Sequence, residues 1–234
     1  MRRLEGGSLQ PMEKGIVLND PFKVVDTDQG RKIDFYLTEV IESIDDYIDF
    51  LRAVESCRVG DEIVIHINCY GGNTFVSMNL HDALLKTDAN VKVCIEGICA
   101  SAATDIMLAA NEWEVSPHAT VMVHSWSEVL AGKWHEIKAQ YHFDEKSSEP
   151  QFRELYKDFM TDEEIEACLN GKDFWFNAEE TIERLEKYTK EDLEKQEKVQ
   201  EVTSKYEKII NAEIQKIINP EKKIQKKEKK GGKK

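Results

Sequence analysis

Ser101, His124 and Asp173 follow one another in the chain at intervals of 23 and 49 residues. Those residue types suit nucleophilic attack on a carbonyl. A hydroxyl attacks, an imidazole takes its proton, a carboxylate holds the ring, and backbone N–H groups receive the oxyanion. Ser101 stands between the apolar run Val91-Lys92-Val93-Cys94-Ile95 and an alanine-rich helical stretch. A helix N-terminus there favours developing negative charge, and the Ala102 amide is the adjacent donor. His124 closes Thr120-Val121-Met122-Val123, which puts an imidazole at the mouth of a sheet. Asp173 precedes the aromatic run Phe174-Trp175-Phe176. Each also has an ordinary structural reading: Ser101 as a helix cap, His124 as a strand-end residue, Asp173 as a turn residue or cap.

Other reactive types are weaker candidates. Cys99 is a rival nucleophile but lies in Ile98-Cys99-Ala100, where a small buried hydrophobe is the plainer role, and Cys69 reads as a packing residue near a cleft. His66, on a β-branched strand, carries little functional signal. His81, His118, His135 and His142 have no partners at metal-ligand spacing, so neither a metal nor a cofactor is expected. Trp126 and Trp134 fit a specificity wall or an interface equally well.

The elements that must position these groups alternate. Ile33–Leu37 reads as a strand, and Ser43 caps a helix carrying Ile44, Tyr47, Leu51 and Val54. Residues 61–68 form a strand that stops at Gly71-Gly72, and a helix follows over about 73–86. After the strand 91–95, residues 97–110 read as a buried helix, and 120–124 as a further strand. Residues 134–170 are helical in pattern, interrupted at Ser147-Ser148-Glu149-Pro150, and Asn177 with Glu180 forms a capping box for the next helix. Strands alternating with helices imply an α/β fold.

Composition bounds the setting. The 234 residues are 41% hydrophobic and 33% charged, enough for one sizeable domain with extensions. Five cysteines without a C-x-x-C pair indicate no disulfide framework, and the absence of a signal-like or membrane-spanning run points to the cytoplasm and to no membrane. The net charge is −13, yet residues 221–234 hold eight lysines against two glutamates, leaving −19 for residues 1–220. An acidic body argues against nucleic acid bound there. The expected organisation is an N-terminal arm over 1–30, a core domain over 31–190, a charged amphipathic helical extension over 191–220 and a basic disordered tail over 221–234.

Taken together and in order, IHIN, CYGG, ICASAAT, VMVHS and KDFWFNAEE resemble the Clp protease proteolytic subunit family, ClpP, over about residues 33–185. In that family Ile-Asn-Ser-Pro-Gly-Gly supplies an oxyanion amide, Gly-x-Ala-Ala-Ser-Met-Gly the nucleophile, Met-Ile-His-Gln-Pro the base, and an Arg-Asp-x-Phe segment the aspartate. The resemblance implies Ser101 as nucleophile, His124 as base, Asp173 as orienting acid and Gly72 with Ala102 as the oxyanion hole. Gly71, Ser125 and Trp126 then line the substrate site. It further implies a ClpP/crotonase-like spiral of ββα units with a protruding handle helix at about 134–145 and a long C-terminal helix. The function implied is a serine endopeptidase acting on protein or peptide substrates inside a homo-oligomeric ring, with an ATP-dependent unfoldase or a capsid scaffold as the alternative partners.

Departures from the pattern are Tyr70 before the glycines, Ala102-Ala103 after the serine, Ser125-Trp126 after the histidine and Lys172 before the aspartate. They leave every triad side chain in place but alter the cleft wall and the interface. Three alternatives stand beside this reading: a phage-type protease that matures a capsid on a scaffold, a non-catalytic assembly subunit, and a crotonase-like acyl-CoA enzyme.

Overall fold

A computed structural model describes residues 22–189 and Ile210. The expected arm through residue 21, and nearly all of the charged extension and basic tail, lie outside the described residues. Seven strands form one sheet: β1 (Phe22–Thr27), β2 (Gly30–Leu37), β3 (Glu62–Cys69), β4 (Asn90–Ala100), β5 (Glu112–Val115), β6 (Thr120–Val123) and β7 (Phe174–Asn177). The order is β1-β2-β3-β4-β6-β7, with β5 also on β4. The central strands are parallel, and β1 and β7 close the edges antiparallel. The parallel pairs are reached through helical crossovers, the usual means of linking such strands.

Strict alternation puts Ile33, Phe35 and Leu37 of β2, Ile63, Ile65 and Ile67 of β3, and Val91, Val93 and Ile95 of β4 on one buried face. Helices α1 (Ile48–Glu55), α2 (Thr74–Lys86) and α3 (Ala102–Leu108) supply residues to the same core, with Phe50 of α1 stacked on Phe35 at 4.1 Å between centroids. The opposite face is polar: His66 pairs with Glu96 at 2.7 Å, Lys92 with Glu114 at 2.7 Å, and Tyr36 stacks on His66.

The caps fall where side-chain chemistry requires. Ser43 accepts from the Asp45 amide, Asn73 from the Phe75 and Val76 amides, and Asn177 with Glu180 makes a reciprocal box opening a helix (α6) over 178–189.

Four expectations change. The sheet begins at Phe22, inside the stretch read as an arm, although β1 is an edge strand with mostly exposed side chains and adds little to the core. β5, four residues with a glutamate on alternate positions, carries no strand pattern of its own and is held by β4. β4 does not end at Ile95: its first half pairs with β5 and its second half, Ile98–Ala100, with β6, so the helix starts only at Ala102. The change of partner occurs at Gly97, where a Cβ would overlap the Asn68 carboxamide. Asn68 Oδ1 there accepts from the Ile98 amide at 3.1 Å and bridges a register shift between Ile67 and Cys69. Finally, helix α4 (Trp134–Tyr156) runs unbroken past Pro150 because Phe152 and Tyr156 anchor its C-terminal half in the core. Helix α5 (Asp162–Leu169) completes the set, capped by Thr161 with Glu164.

Candidate active site

The C-terminal ends of β3, β4 and β6 converge on one cavity of about 610 Å³. Such strand ends are where open α/β sheets generally hold ligands. Ser101 occupies the turn from β4 to α3 with φ 56° and ψ −131°, and among the described residues no other non-glycine has positive φ. Holding a serine there costs on the order of 1–3 kcal/mol and displays its hydroxyl at a helix start. Two bonds fix the turn. The Ser101 amide donates to the Met122 carbonyl at 2.8 Å, tying the serine to β6, and Thr104 Oγ1 donates to the Ser101 carbonyl at 2.6 Å.

His124, one residue beyond β6, brings Nε2 to 2.7 Å from Ser101 Oγ. A nucleophile and a base are thus in hydrogen-bond contact. Gly71 and Gly72 press against the same turn. A Cβ on Gly71 would sit 2.5 Å from the Ala100 carbonyl and 2.8 Å from the Ala102 amide, and one on Gly72 would overlap the Ile41 carbonyl. Both have positive φ, so only glycine fits there without strain. The loop is held by the Ile41 amide donating to Gly71 O and the Asn73 amide to Ile41 O, and by the Gly71 amide donating to Cys69 Sγ at 3.3 Å. Among the described residues the N–H groups of Gly72 and Ala102 have no acceptor. Both residues line the cavity onto which Ser101 opens.

Asp173 lies in the turn before β7 and is exposed. The ladder pairs Val123 with Phe174, so Asp173 is set across from His124 one step beyond the last pair. No hydrogen bond between the two is present among the described residues. Its charge instead acts on Cys168, whose thiol is pushed up to about 11, by desolvation first and Asp173 second. Cys99 is fully buried and its thiol lies well above the usual range through desolvation, so it is no nucleophile. All five cysteines are free.

Of the expected substrate-site residues, Trp126 lines the cavity, while neither Gly71 nor Ser125 is among its lining residues. Asp105, Thr104 and Tyr156 did not stand out in the sequence. Asp105 is 5% exposed. Its Oδ2 accepts from Ser77 Oγ at 2.5 Å and its Oδ1 from the Tyr156 hydroxyl at 3.2 Å, and Tyr156 also meets Thr104 Oγ1 at 2.5 Å. Burial pushes the Asp105 carboxyl up to about 6 despite both hydroxyl bonds. Its sequence signal is a lone acid in the small and apolar run Ile98–Ala110. A shallower depression of about 940 Å³ at the opposite end of the sheet, near Arg31, Asp61 and Asn90, contains no paired nucleophile and base.

Among the described residues no group of His, Cys, Asp and Glu side chains is arranged to hold a metal, and no helix is long and apolar enough to cross a membrane.

The family model for Clp protease matches residues 27–184. The chain is 24% identical over 156 residues to the ATP-dependent Clp protease proteolytic subunit of Bacteroides thetaiotaomicron, covering 66% of this chain and 68% of that one. The protein of the same name from Bacteroides fragilis (strain ATCC 25285) is 23% identical over 156 residues, 66% of this chain and 72% of its own. That of Porphyromonas gingivalis is 28% identical over 97 residues, 41% of each chain.

Proposed function

Because the chain belongs to the Clp protease family, we propose that it hydrolyses peptide bonds with Ser101 as nucleophile and His124 as base. The observation that carries this reading is the 2.7 Å contact between Ser101 Oγ and His124 Nε2 beside the free amides of Gly72 and Ala102. His124 takes the hydroxyl proton as Oγ bonds to the scissile carbonyl carbon, and the carbonyl oxygen, now anionic, accepts from the two amides. The C–N bond then breaks and the proton on His124 passes to the leaving amine. Water attacks the acyl-serine, gives a proton to His124 and its hydroxyl to the acyl group, and the proton returns to Ser101.

Asp173 is the orienting acid in this scheme. The β6–β7 register sets it opposite His124, and the missing bond forms when the site tightens around substrate or a neighbouring subunit, since catalytic hydrogen bonds are often loose in the free enzyme. Assembly into a homo-oligomeric ring is supported by the exposed apolar side chains Trp134, Tyr141 and Phe143 on the first half of α4. The relatives' designation as ATP-dependent proteolytic subunits supports an ATP-driven partner that feeds substrate.

Labelling of the full chain with a fluorophosphonate, read across gel-filtration fractions, tests the scheme. Labelling that tracks an oligomeric peak and disappears in Ser101→Ala and His124→Ala supports it. Absence of labelling in every fraction refutes it and favours a non-catalytic assembly subunit.

A further inference from the structure

The cavity that opens at Ser101 has an electrostatic character of its own. Among the described residues it is lined by three carboxylates, Asp105, Glu128 and Asp144, and by neither lysine nor arginine. Burial increases from mouth to floor: Ser101 and His124 are half-buried, while Asp105 and Tyr156 are 5% and 3% exposed. Asp105 follows Ser101 by four residues, one helical turn or about 6 Å along α3, on the same side of the helix. A side chain entering beside the attacked carbonyl therefore meets Asp105 at its far end. The walls between are apolar, with Met78, Phe152 and Leu155.

Among the described residues only neutral hydroxyls bond to Asp105, from Ser77 and Tyr156, and they occupy two of the roughly four acceptor positions of a carboxylate. A bridge between helices needs no charge for that, and a buried carboxylate without a counter-ion is unfavourable. Burial raises the proton affinity of Asp105, and among the described residues no cation offsets it.

Resting on the peptidase reading above, we infer that this cavity is a specificity pocket for a basic side chain, lysine or arginine, on the acyl side of the scissile bond, with Asp105 receiving its charged head. The long aliphatic stem of either residue packs on Met78, Phe152 and Leu155 while the head reaches the carboxylate, the division such side chains favour. Glu128 and Asp144 reinforce the selection. Desolvation and then Asp144 push the Glu128 carboxyl up, and Asp144 Oδ2 is buried without a hydrogen-bond partner, so an approaching cation relieves both. An acidic side chain on the substrate is repelled by all three.

Peptidyl diphenyl phosphonates with lysine, leucine or glutamate next to phosphorus test the inference on the assembled full chain. An alkyl fluorophosphonate, which has no such side chain, serves as the independent measure of Ser101 reactivity. The expected result is labelling about 10- to 100-fold faster with lysine than with leucine, as for a charge-assisted hydrogen bond, and none with glutamate. Asp105→Asn, checked for folding by its melting temperature, brings the lysine-to-leucine ratio to near one. Tyr156→Phe, which keeps the carboxylate, retains it. Equal or faster labelling with leucine in the native chain, while the fluorophosphonate still labels Ser101, overturns the inference and leaves the peptidase reading intact. Failure of the fluorophosphonate overturns both.

Discussion

Asp61 and Asp105 lie at opposite ends of the sheet, almost equally deep, and their surroundings drive them apart. Asp61 receives the Arg31 amide at 2.7 Å, the Arg58 amide at 2.9 Å, and Arg31 Nε and Nη2 at 3.1 and 2.7 Å. The guanidinium and the two amides hold its carboxyl down at about 2. Asp105 has two hydroxyls and, among the described residues, no cation, and burial raises it to about 6. Asp61 borders an open depression with a guanidinium at hand, whereas Asp105 is enclosed, so the cation and amides decide at the first and desolvation at the second. The Asp61 end is internally satisfied, as befits a scaffold. The Asp105 end holds a strained serine, two free amides and an uncompensated acid, a concentration of unmet demand that marks a site built for something outside the chain.

The sharpest way to break this contrast is at Ser101. Ser101→Ala is expected to lower peptide turnover by about 10⁴- to 10⁶-fold, measured with a fluorogenic peptide. Ser101→Gly is equally inactive but more stable than the alanine variant by about 1 kcal/mol in denaturant unfolding, because glycine accepts the positive φ. Gly72→Ala drives a methyl into the Ile41 carbonyl and is expected to cost about 3 kcal/mol or more in denaturant unfolding.

The two acids then give opposite responses to neutralisation. In the folded chain Asp105 binds its proton up to about pH 6, against 3.8 for an ordinary aspartate, so folding is penalised progressively as pH rises from about 4 to about 6. Asp105→Asn should therefore raise stability at pH 7.5 by about 2–3 kcal/mol and match the native chain at pH 4, at about 1.4 kcal/mol per unit. Asp61 is displaced the other way. Its contribution is complete above about pH 4 and is lost as pH falls toward 2. Asp61→Asn should lower the melting temperature at pH 7, with the difference closing below pH 4. A loss of stability on neutralising Asp105 at pH 7.5 would erase the distinction between the ends.

Much of this was legible in the sequence because local chemistry and tertiary structure agree. Ser43, Asn73 and Asn177 cap the helices they precede, and the alternation of β2 and β3 reads directly as one buried face, whereas Ser101 and His124 stand out through the resemblance to the ClpP family, their places at a helix start and a strand end being ordinary by themselves. What escaped depends on neighbours distant in the chain. β5 is a strand because β4 offers its first half, and the stretch from Ile98 to Ala100 is a strand because β6 arrives beside it. Pro150 interrupts no helix because burial of Phe152 and Tyr156 outweighs one missing hydrogen bond. Asp105 gains meaning only when α4 brings Tyr156 against it.

The sheet order carries a consequence for synthesis. β7 pairs with β6 only after α4 and α5 have been made, and about fifty residues separate Val123 from its partner Phe174. A ribosome releases Ser101 and His124 well before Asp173, and a pairing that closes so long a loop is slow to form. On the scheme proposed above, the nascent chain carries its nucleophile and base without their orienting acid until the last strand of the sheet is in place. On that scheme, maturation of the site is coupled to completion of the domain, and a truncated or stalled product lacks the proposed orienting acid.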